Sequence, residues 1–444
     1  MIDMSPEAIT LLMFGSLLLT VLLGFPMAYA LAGVAMLISL LFFTPEQTFA
    51  AFYGRIFGVV TNFVLLAAPL FIFMGLMMEK TGISEKLFDA IYLWTGGLRG
   101  GLAVATVLIG ALLAACVGII GASVIMLGLI ALPAMLKHGY NRELACGSVC
   151  AGGTLGILIP PSVMLVIYGP TASIGVGKLF MAAFMPGFML AGLYIVYILI
   201  VSFLKPQLAP AVPVEERNVP FVKKLTALVV SMGPPLFLIL AVLGTIFFGI
   251  APPTEAAAIG AVAATLLAFA YGRLTFAAFK EVTYQSLRIT CMVMIIAMCA
   301  GMFTGTFLRL GCGDVIMNAI VGIPFGRWVS FAVVMAIVFI LGMFIDWIGI
   351  VLIMVPIVTP IGEVLGFDTL WFAMMIIVNL QMSFLTPPFA YALFYLRGIC
   401  KPEWGIDTGH IVRGVIPFVC LIVVGLILCI VFPEIILWLP GKML

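Results

Sequence analysis

The sequence predicts an all-α polytopic membrane protein made of two inverted-topology repeats, each with a re-entrant hairpin and a broken helix. Three observations lead to this prediction. The composition is far too apolar for a water-soluble domain. Residues that shape the backbone recur at a constant spacing along the chain. A Pro-Pro doublet interrupts an apolar segment at the same place in both copies.

The composition places the whole chain in a membrane. Hydrophobic residues make up 65% of the 444 residues and charged residues only 9%, whereas about a quarter of a soluble domain is charged. About 20 apolar residues cross a bilayer, and nearly every window of that length here is apolar enough. With two distant histidines and no phosphate-binding loop, the sequence argues against a multi-histidine haem or metal site and against ATP hydrolysis. Nothing indicates a nucleic-acid partner.

An internal repeat is visible at a fixed spacing. The pentapeptide TFAAF occurs at Thr48–Phe52 and again 227 residues later at Thr275–Phe279. A constant register of this kind indicates duplication. The first repeat is predicted at residues 1–204 and the second at 225–444, joined by a polar, proline-rich linker at 205–224. The same spacing also pairs Pro26 with Pro253, Gly33 with Gly260, Pro133 with Pro360, Gly139 with Gly366 and Tyr168 with Tyr395.

The number of crossings in one repeat predicts that the second copy is inverted. The apolar run at 102–135 is too long for one crossing, and Gly118 and Gly121 lie near its middle. It forms either two crossings or a hairpin that enters and leaves on one side, so its contribution is even. Five further runs make the total odd, which turns the second copy upside down. These runs lie near 7–23, 26–43, 56–78, 144–168 and 179–204.

The basic residues predict the orientation. With the N-terminus outside, 15 Lys and Arg residues fall on the cytoplasmic side and 5 fall outside. Cytoplasmic loops carry an excess of positive charge. Both termini are therefore predicted to lie outside the cytoplasm, and the linker around Glu215 and Glu216 within it. No Lys or Arg precedes the first apolar run, so this run is predicted to be a retained helix rather than a signal peptide.

Two segments with a Pro-Pro doublet cannot form continuous helices. GGTLGILIPPSVMLVIYG (Gly152–Gly169) contains Pro160-Pro161, and NLQMSFLTPPFAYALFYLRG (Asn379–Gly398) contains Pro387-Pro388. Irregular backbone at membrane depth is stable only where it lines a cavity or is buried in protein. Freed carbonyls and hydroxyls there can coordinate sodium, and the N-terminus of a half-helix favours an anion. A pair of structural kinks is the alternative interpretation.

Polar side chains accompany the breaks and the predicted hairpins. Asp346 is the one charged residue between Arg327 and Glu363, and a carboxylate at such depth is costly and usually functional. The stretch GIIGAS with Ser123 holds the equivalent position in the first repeat, and both stretches are predicted to be hairpin tips. Glu255 is interpreted as a structural or interface carboxylate. Residues near the breaks that could bind a ligand, or could be ordinary interhelical hydrogen-bonding residues, are Thr154, Ser162, Asn379, Gln381, Ser383 and Thr386.

These motifs resemble a known family. GGTLGILIPPSVMLVIYG, preceded by ALPAMLKHGYNRELA, looks like the large membrane subunit of tripartite ATP-independent periplasmic (TRAP) transporters. FIDWIGIVLIMVPIVTPI and SFLTPPFAYALFYLRG are similar to its second-half signatures, so the resemblance covers essentially the whole chain. It implies a bacterial or archaeal inner-membrane importer of the elevator type, driven by a sodium gradient. It also implies a small organic-acid substrate, a periplasmic binding protein that delivers it, and a small four-helix membrane subunit, expected here as a separate polypeptide.

The resemblance, together with the breaks, predicts two related sodium sites and a cavity between them for an organic anion. The chain departs from the family pattern at both tips: the common Asp-Pro is Asp346-Trp347 here, and a serine-glycine-serine tip is replaced by Gly118–Ser123. The predicted sodium-binding residues are Gly121, Ser123, Thr154, Gly156, Pro160, Ser162, Asp346, Gly349, Ser383, Thr386 and Pro387. The predicted substrate-binding residues are Ser123, Thr154, Asp346, Asn379 and Gln381.

Two alternative functions remain at this stage. One is a stand-alone sodium–dicarboxylate symporter of related fold, although the Ser-Asn-Thr tips typical of those proteins are absent. The other is a non-transporting membrane subunit of a redox complex, which would be marked by paired intramembrane histidines or a charged relay chain. The sequence has neither, and it has no nucleophile–base pair that would indicate an enzyme.

Overall fold

The computed structural model describes residues 4–217 and 219–443, so the outermost residues of both predicted external termini lie outside it. All regular structure in these ranges is helical, and eight of the helices there are long and apolar enough to cross a membrane. The predicted all-α polytopic fold is confirmed. The first half contains α1 (Pro6–Leu22), α2 (Met27–Phe42), α3 (Pro45–Val60), α4 (Ala67–Lys80), α5 (Ile83–Thr95), α6 (Gly101–Val117), α7 (Ile120–Lys137), α8 (Arg142–Thr154), α9 (Val163–Ala172) and α10 (Val176–Leu204).

The second half follows the same order after a short α11 (Val214–Arg217). α7 and α17 each have 18 residues and begin at Ile120 and Trp347, which are 227 residues apart. The pairs α6–α7 and α16–α17 are named hairpin one and hairpin two. The second half contains α12 (Phe221–Phe247), α13 (Pro253–Ala270), α14 (Phe276–Arg309), α15 (Cys312–Val321), α16 (Arg327–Gly342), α17 (Trp347–Val364), α18 (Thr369–Ser383), α19 (Tyr391–Ile399), α20 (Thr408–Val431) and α21 (Glu434–Leu437).

Equivalent capping residues start equivalent helices in the two halves. Before α8, the Asn141 side chain accepts from the backbone N–H of Glu143 at 2.9 Å and of Leu144 at 3.1 Å. Before α18, 227 residues later, Asp368 accepts from the N–H of Trp371 at 2.8 Å. Such caps satisfy amide groups that the first turn of a helix leaves unpaired. The duplication is therefore visible in how the helices begin as well as in the residue spacing.

The two halves pack against each other in reciprocal pairs. α2 packs on α14, and its equivalent α13 packs on α4. In the same way α7 packs on α19 while α17 packs on α9, and α8 packs on α20 while α18 packs on α10. A two-fold relationship requires this reciprocity, because each contact between unlike elements must occur twice. The helices α1–α4 and α12–α14 are named the scaffold, and the hairpins with α8–α10 and α18–α20 are named the core body.

The repeats differ at one position of the scaffold. The apolar run at 56–78 does not form a single helix, because α3 ends at Val60 and the chain turns at Thr61 and Asn62. The Asn62 side chain accepts from the Val64 N–H at 3.0 Å, and a short 3₁₀ turn then leads into α4. The equivalent part of the second half is the uninterrupted helix α14, of 34 residues. A local Asn cap is sufficient to divide the first-half helix.

The segment between α10 and α12 runs across the open end of hairpin one. Its Ala209 carbonyl accepts from the Gly100 N–H at 3.0 Å, and the Val212 N–H donates to the Gly96 carbonyl at 2.9 Å. α12 begins at Phe221, so the last residues of the predicted linker at 205–224 are already helical. The predicted repeat limits and the cytoplasmic location of the linker stay predictions.

Candidate functional site

The first helix break is entirely buried. α8 ends at Thr154, a 3₁₀ turn covers Leu155–Ile157, and α9 begins at Val163 after the cis Pro160-Pro161 bond. The Thr154 hydroxyl donates to the Ala151 carbonyl at 3.0 Å, and the Ser162 hydroxyl donates to the Ile157 carbonyl at 2.5 Å. Since a hydroxyl has two lone pairs, both oxygens can still accept from a ligand or coordinate a cation. Gly156 and Pro160 are also buried in this break.

The tip of hairpin one lies directly on this break. Gly118 has a φ of 65°, and a Cβ there would be in van der Waals contact with the Pro161 carbonyl oxygen, at 3.4 Å. The left-handed turn at the tip therefore favours glycine. Ser123, in the first turn of α7, is fully buried and donates to the Ile119 carbonyl at 3.1 Å. A Cβ on Gly121 would lie 3.0 Å from the Tyr395 ring of α19, so tip one also contacts the other half.

Glycines bring the first break close to both helices of hairpin one. A Cβ on Gly110 of α6 would lie 2.6 Å from the Gly152 carbonyl oxygen of α8. On the other side, Gly153 has Val124 of α7 as its nearest neighbour. The backbone of α8 therefore packs directly against the α6 backbone on one side and against Val124 of α7 on the other. This packing fixes the distance between tip one and the carbonyls of the break.

The second break repeats the arrangement with hairpin two. The Phe389 N–H donates to the Met343 carbonyl at the tip of the hairpin, at 3.2 Å. Ser383 donates to the Phe339 carbonyl of α16 at 3.3 Å, and its side chain fills the space beside Gly342. Thr386 donates to the Met382 carbonyl at 2.8 Å. Each hairpin tip is thus joined to the broken helix of its own half.

The two breaks differ in accessibility. In the first, every residue from Thr154 to Tyr168 is buried. In the second, Pro387 and Pro388 are exposed, and their peptide bond is also cis. The protein surface therefore reaches the second break but does not reach the first. The sequence could not predict this difference, because the two motifs are equivalent by position.

Asp346 lies at the tip of hairpin two, where it precedes the first turn of α17. Its carbonyl accepts from the Ile350 N–H at 3.0 Å, and its side chain is half-buried. None of the ion pairs in the described ranges involves it. The phenols of Tyr391 and Tyr395 lie within electrostatic range of its carboxyl group. A carboxylate without a cationic partner at this depth is an unbalanced charge that a bound cation would neutralise.

The donor set suits a hard cation. No group of three or more His, Cys, Asp or Glu side chains capable of holding a metal occurs within residues 4–217 and 219–443. Around the tips and breaks the available ligands are carbonyls, hydroxyls and the Asp346 carboxylate. Oxygen ligands of this kind bind hard cations rather than transition metals. The residues present therefore fit sodium.

Two predicted site residues make contacts away from the hairpin tips, and a third has no hydrogen-bond partner among the described residues. The Asn379 amide donates to the Met335 carbonyl at 2.8 Å, so it braces α18 against α16. A Cβ on Gly349 would lie 2.7 Å from Met27 Cε, which places this glycine against scaffold helix α2. The Gln381 side chain is fully buried, and neither its oxygen nor its nitrogen has a partner among the described residues. Whether any of the predicted residues binds sodium or substrate stays a prediction.

Three functional candidates were not predicted from the sequence. The Tyr395 ring of α19 lies against Gly121 at tip one, and the phenols of Tyr391 and Tyr395 lie within electrostatic range of Asp346 at tip two. Tyr395 has a signal in the sequence, because it is matched by Tyr168 at the repeat spacing. The Thr304 hydroxyl of α14 donates to the Leu352 carbonyl of α17 at 3.3 Å, which joins the scaffold to hairpin two. No local pattern marks Thr304.

Comparison with known proteins agrees with this architecture. The family model described as "Tripartite ATP-independent periplasmic transporter, DctM component" matches residues 14–435. The chain is 32% identical over 411 residues to the C4-dicarboxylate TRAP transporter large permease protein DctM of Pseudomonas aeruginosa, covering 92% of this chain and 93% of that protein. It is 29% identical to the sialic acid TRAP transporter large permease protein SiaM of Vibrio cholerae, covering 94% and 95%.

Two further matches extend the comparison. The isethionate TRAP transporter permease protein DctMQ of Oleidesulfovibrio alaskensis is 28% identical, and the match covers 87% of this chain and 59% of that protein. The crystal structure of the Alcanivorax borkumensis YdaH transporter superposes with a TM-score of 0.67 at 13% identity, covering 96% of this chain and 99% of that one. At this identity the likeness concerns the fold alone. The chain belongs to the DctM family, the large permease component of TRAP transporters.

Proposed function

We propose that this protein imports an organic acid across the inner membrane of a bacterium or archaeon, and that a sodium gradient drives this uptake. The observation that carries the proposal is Asp346, a half-buried carboxylate without an ion-pair partner among the described residues, at a hairpin tip that meets a broken helix. A monovalent cation at that tip would offset its charge. The substrate class follows from the relatives, which are named for C4-dicarboxylates, sialic acid and isethionate, all anions.

The proposed partners also follow from the family. The family description is of a tripartite system, and one relative is named as a combined DctMQ permease. We infer that a small four-helix membrane subunit, encoded separately, joins this chain in the bilayer. A periplasmic binding protein would deliver the organic acid to the complex. Membership of the DctM family argues against the redox subunit, and the stand-alone symporter is the alternative that the experiment below tests.

The proposed sodium sites lie between each tip and its break. The first would use Ser123 and Gly121 of tip one with Thr154, Gly156, Pro160 and Ser162 of the buried break. The second would use Asp346 with Ser383, Thr386 and Pro387 of the exposed break, without Gly349, which faces scaffold helix α2. Occupied sites would hold the tips closed and would leave a cavity for the organic anion between them, near Gln381. Helices α9 and α19 begin at the two breaks, and the partial positive charge of their N-termini favours an anion there.

The proposed movement is of the elevator type. The core body would slide against the scaffold and carry the two sites together across the membrane. Among the described residues few polar contacts join the two parts, and the Thr304–Leu352 hydrogen bond is one that such a movement must break. A single hydrogen bond of this kind contributes about 0.5–1.5 kcal/mol, so it can break and re-form during transport.

Reconstitution tests the proposal. The chain, its small subunit and a candidate binding protein are placed in liposomes, and uptake of C4-dicarboxylates and sialic acid is measured with an inward sodium gradient. A potassium gradient of equal size is the control. We expect uptake that requires both sodium and the binding protein. Sodium-driven uptake without a binding protein would favour the stand-alone symporter, and equal uptake in sodium and potassium would refute sodium coupling.

A further inference from the structure

A cleft in the scaffold contains two arginines that have no acidic partner among the described residues. It is a cavity of about 680 Å³ between α2, α3 and α14, lined among others by Ser39, Phe43, Arg55, Thr306 and Arg309. Neither arginine forms an ion pair in the part of the chain that the structure describes. No carboxylate lines the cavity. Two guanidinium groups in such a cleft create a local positive potential.

The packing of α14 positions both guanidinium groups in the cleft. A Cβ on Gly305 would lie 2.9 Å from Arg55 Nε, so this glycine allows the Arg55 side chain to lie across α14. One turn further along the same face, the Arg309 guanidinium lies 4.0 Å from the centre of the Phe43 ring. A cation held over an aromatic ring is restricted in orientation. Both arginines are exposed, and both side chains line this cleft between helices.

The cleft opens at one surface of the membrane. At the other end of α14, Glu281 forms an ion pair with Lys80 at 2.8 Å. Glu281 and Arg309 are separated by 28 residues of continuous helix, or about 42 Å at 1.5 Å per residue. This length equals the thickness of a bilayer with its headgroups, about 40–45 Å. The arginine cleft therefore lies at the face opposite the Lys80–Glu281 pair, which the basic residues predict to be periplasmic.

A second cavity leads from the cleft towards the core body. It has a volume of about 280 Å³ and shares Arg55 and Leu308 with the first cavity. Its other walls include Thr171 of α9, Thr304 of α14 and Leu352 of α17. No carboxylate lines it either. Arg55 thus stands at the junction between a cleft open to the surface and a space that reaches both α9 and hairpin two.

We propose that this cleft is a capture site for a small organic carboxylate, which Arg55 and Arg309 bind before the anion reaches the core body. A guanidinium group matches a carboxylate with two parallel hydrogen bonds, and two such groups can bind both ends of a dicarboxylate. The site lies on the scaffold and shares no residue with the predicted sodium and substrate sites. The assignment of a carboxylate rests on the proposed function, whereas a phosphate of an anionic lipid has the same charge chemistry and is the alternative source of the anion.

Thiol labelling tests the site without transport. Ala51, which lines the cleft, is replaced by cysteine in the full chain, and the protein is placed in phosphatidylcholine nanodiscs. The labelling rates with a negatively charged sulfonatoethyl methanethiosulfonate and a positively charged trimethylammonium analogue are compared. Phe325→Cys, an exposed residue outside both cavities and on the same predicted face, is the reference. Labelling of the native cysteines in the unsubstituted chain is subtracted.

We expect the ratio of anionic to cationic labelling to be about tenfold higher at position 51 than at position 325. Arg55→Gln and Arg309→Gln should each lower the ratio, and succinate should slow anionic labelling more than sodium chloride of equal ionic strength. Gly305→Ala should lower the ratio by displacing Arg55, whereas Gly33→Ala should leave it unchanged, since Gly33 lines neither cavity and a Cβ there would meet no atom within 4 Å. Size-exclusion chromatography and thermal unfolding check that each variant is folded.

Three outcomes would overturn the proposal. The first is a ratio that does not change in the arginine variants. The second is labelling that succinate does not slow in phosphatidylcholine discs. The third is labelling that added phosphatidylglycerol slows while succinate does not, which would assign the cleft to a lipid headgroup. A failure of sodium-driven uptake would leave these results intact, because labelling requires no transport, so the two proposals can fail separately.

Discussion

The imidazole Nε2 of His138 lies 3.0 Å from the carboxylate Oε2 of Glu216, which ties the linker to the end of hairpin one. The same carboxylate accepts from the Tyr92 hydroxyl at 2.9 Å and from Lys137 Nζ at 3.3 Å. The hydrogen bond from Tyr92, followed by those from His138 and Lys137, lowers the pKa of Glu216 to about 2. One linker side chain therefore joins α5 to the last turn of α7.

We predict that this attachment is lost in Glu216→Gln and retained in Glu215→Gln. The neutral amide loses the charge that draws Lys137 and His138, whereas Glu215 is exposed. Because the folded pKa lies below the usual 4.5, the contribution of the Glu216 carboxylate is complete above about pH 4.5 and is lost as the pH falls towards 2. Amide hydrogen exchange of residues 206–217, corrected for intrinsic rates, measures whether the linker stays attached. Equal exchange in both variants would contradict the prediction.

The orientation of the chain can be tested with reporter fusions. The distribution of basic residues predicts that the C-terminus is periplasmic and that the linker is cytoplasmic. We therefore expect a reporter after Leu444 and one inserted at Glu216 to give opposite signals, with an alkaline phosphatase fusion active only at the C-terminus. Matching signals at the two positions would show that a half does not cross the membrane an odd number of times.

Asp346→Asn should abolish or strongly impair uptake while the protein remains inserted and bound to its small subunit. The substitution removes the carboxylate from hairpin two without changing its shape, so sodium loses a charged ligand or counter-charge. Asp314→Asn is the matched control, because Asp314 is an exposed acid in the first turn of α15. Uptake at equal expression in reconstituted liposomes is the measurement. Full activity of Asp346→Asn would show that transport does not require this carboxylate.

Removal of single hydroxyls should weaken apparent sodium affinity. We predict that Ser123→Ala, Ser162→Ala and Thr386→Ala each lose about 1–2 kcal/mol, or roughly five- to thirty-fold, as expected for one oxygen ligand. Thr226→Ala is the control, since this exposed threonine only bonds the Val222 carbonyl within its own helix. Uptake is titrated against sodium at fixed substrate. If the three curves overlay that of the unsubstituted chain, the sodium ligands lie elsewhere.

The close packing of α8 on hairpin one predicts a stability effect. Gly110→Ala would bring a methyl group within 2.6 Å of the Gly152 carbonyl oxygen, where backbone atoms on both sides prevent relaxation. We expect destabilisation of about 1–3 kcal/mol. Gly33→Ala, in helix α2 with no atom within 4 Å of the added Cβ, should be neutral or slightly stabilising. Thermal unfolding in detergent distinguishes them, and equal midpoints would refute the packing argument.

Much of the fold was predictable because the duplicated sequence carries the same proline and glycine pattern in both halves. The Pro-Pro doublets and the long run at 102–135 located the breaks and hairpin one, since proline and glycine act on the local backbone. The division of the scaffold run at Thr61 and Asn62 was not predicted. There the Asn62 side-chain cap ends the helix, and a hydropathy pattern does not reveal such a cap.

The positions of the hairpin tips were predictable, whereas the directions of the side chains around them were less so. Spacing placed Ser123 and Asp346 at the two tips, and the structure has them there. The direction in which a side chain points depends on the helix packed against it, which is why Asn379 turned out to brace α16 and Gly349 to face Met27. The Arg55–Arg309 cleft joins residues distant in sequence, and no repeat partner marks it.

The reciprocal packing of the halves has a consequence for biosynthesis. α7 rests on α19, α9 on α17, and α8 on α20, so the first half leaves the ribosome with faces whose partners have not yet been made. Contacts between such distant parts of a chain form late and slowly. The first hairpin and its broken helix must therefore wait beside lipid or a chaperone until nearly the whole polypeptide is translated. We expect a nascent chain that stops before α18 to be inserted in the membrane with the faces of α7 and α8 still uncovered. Such a chain would be a substrate for membrane proteases.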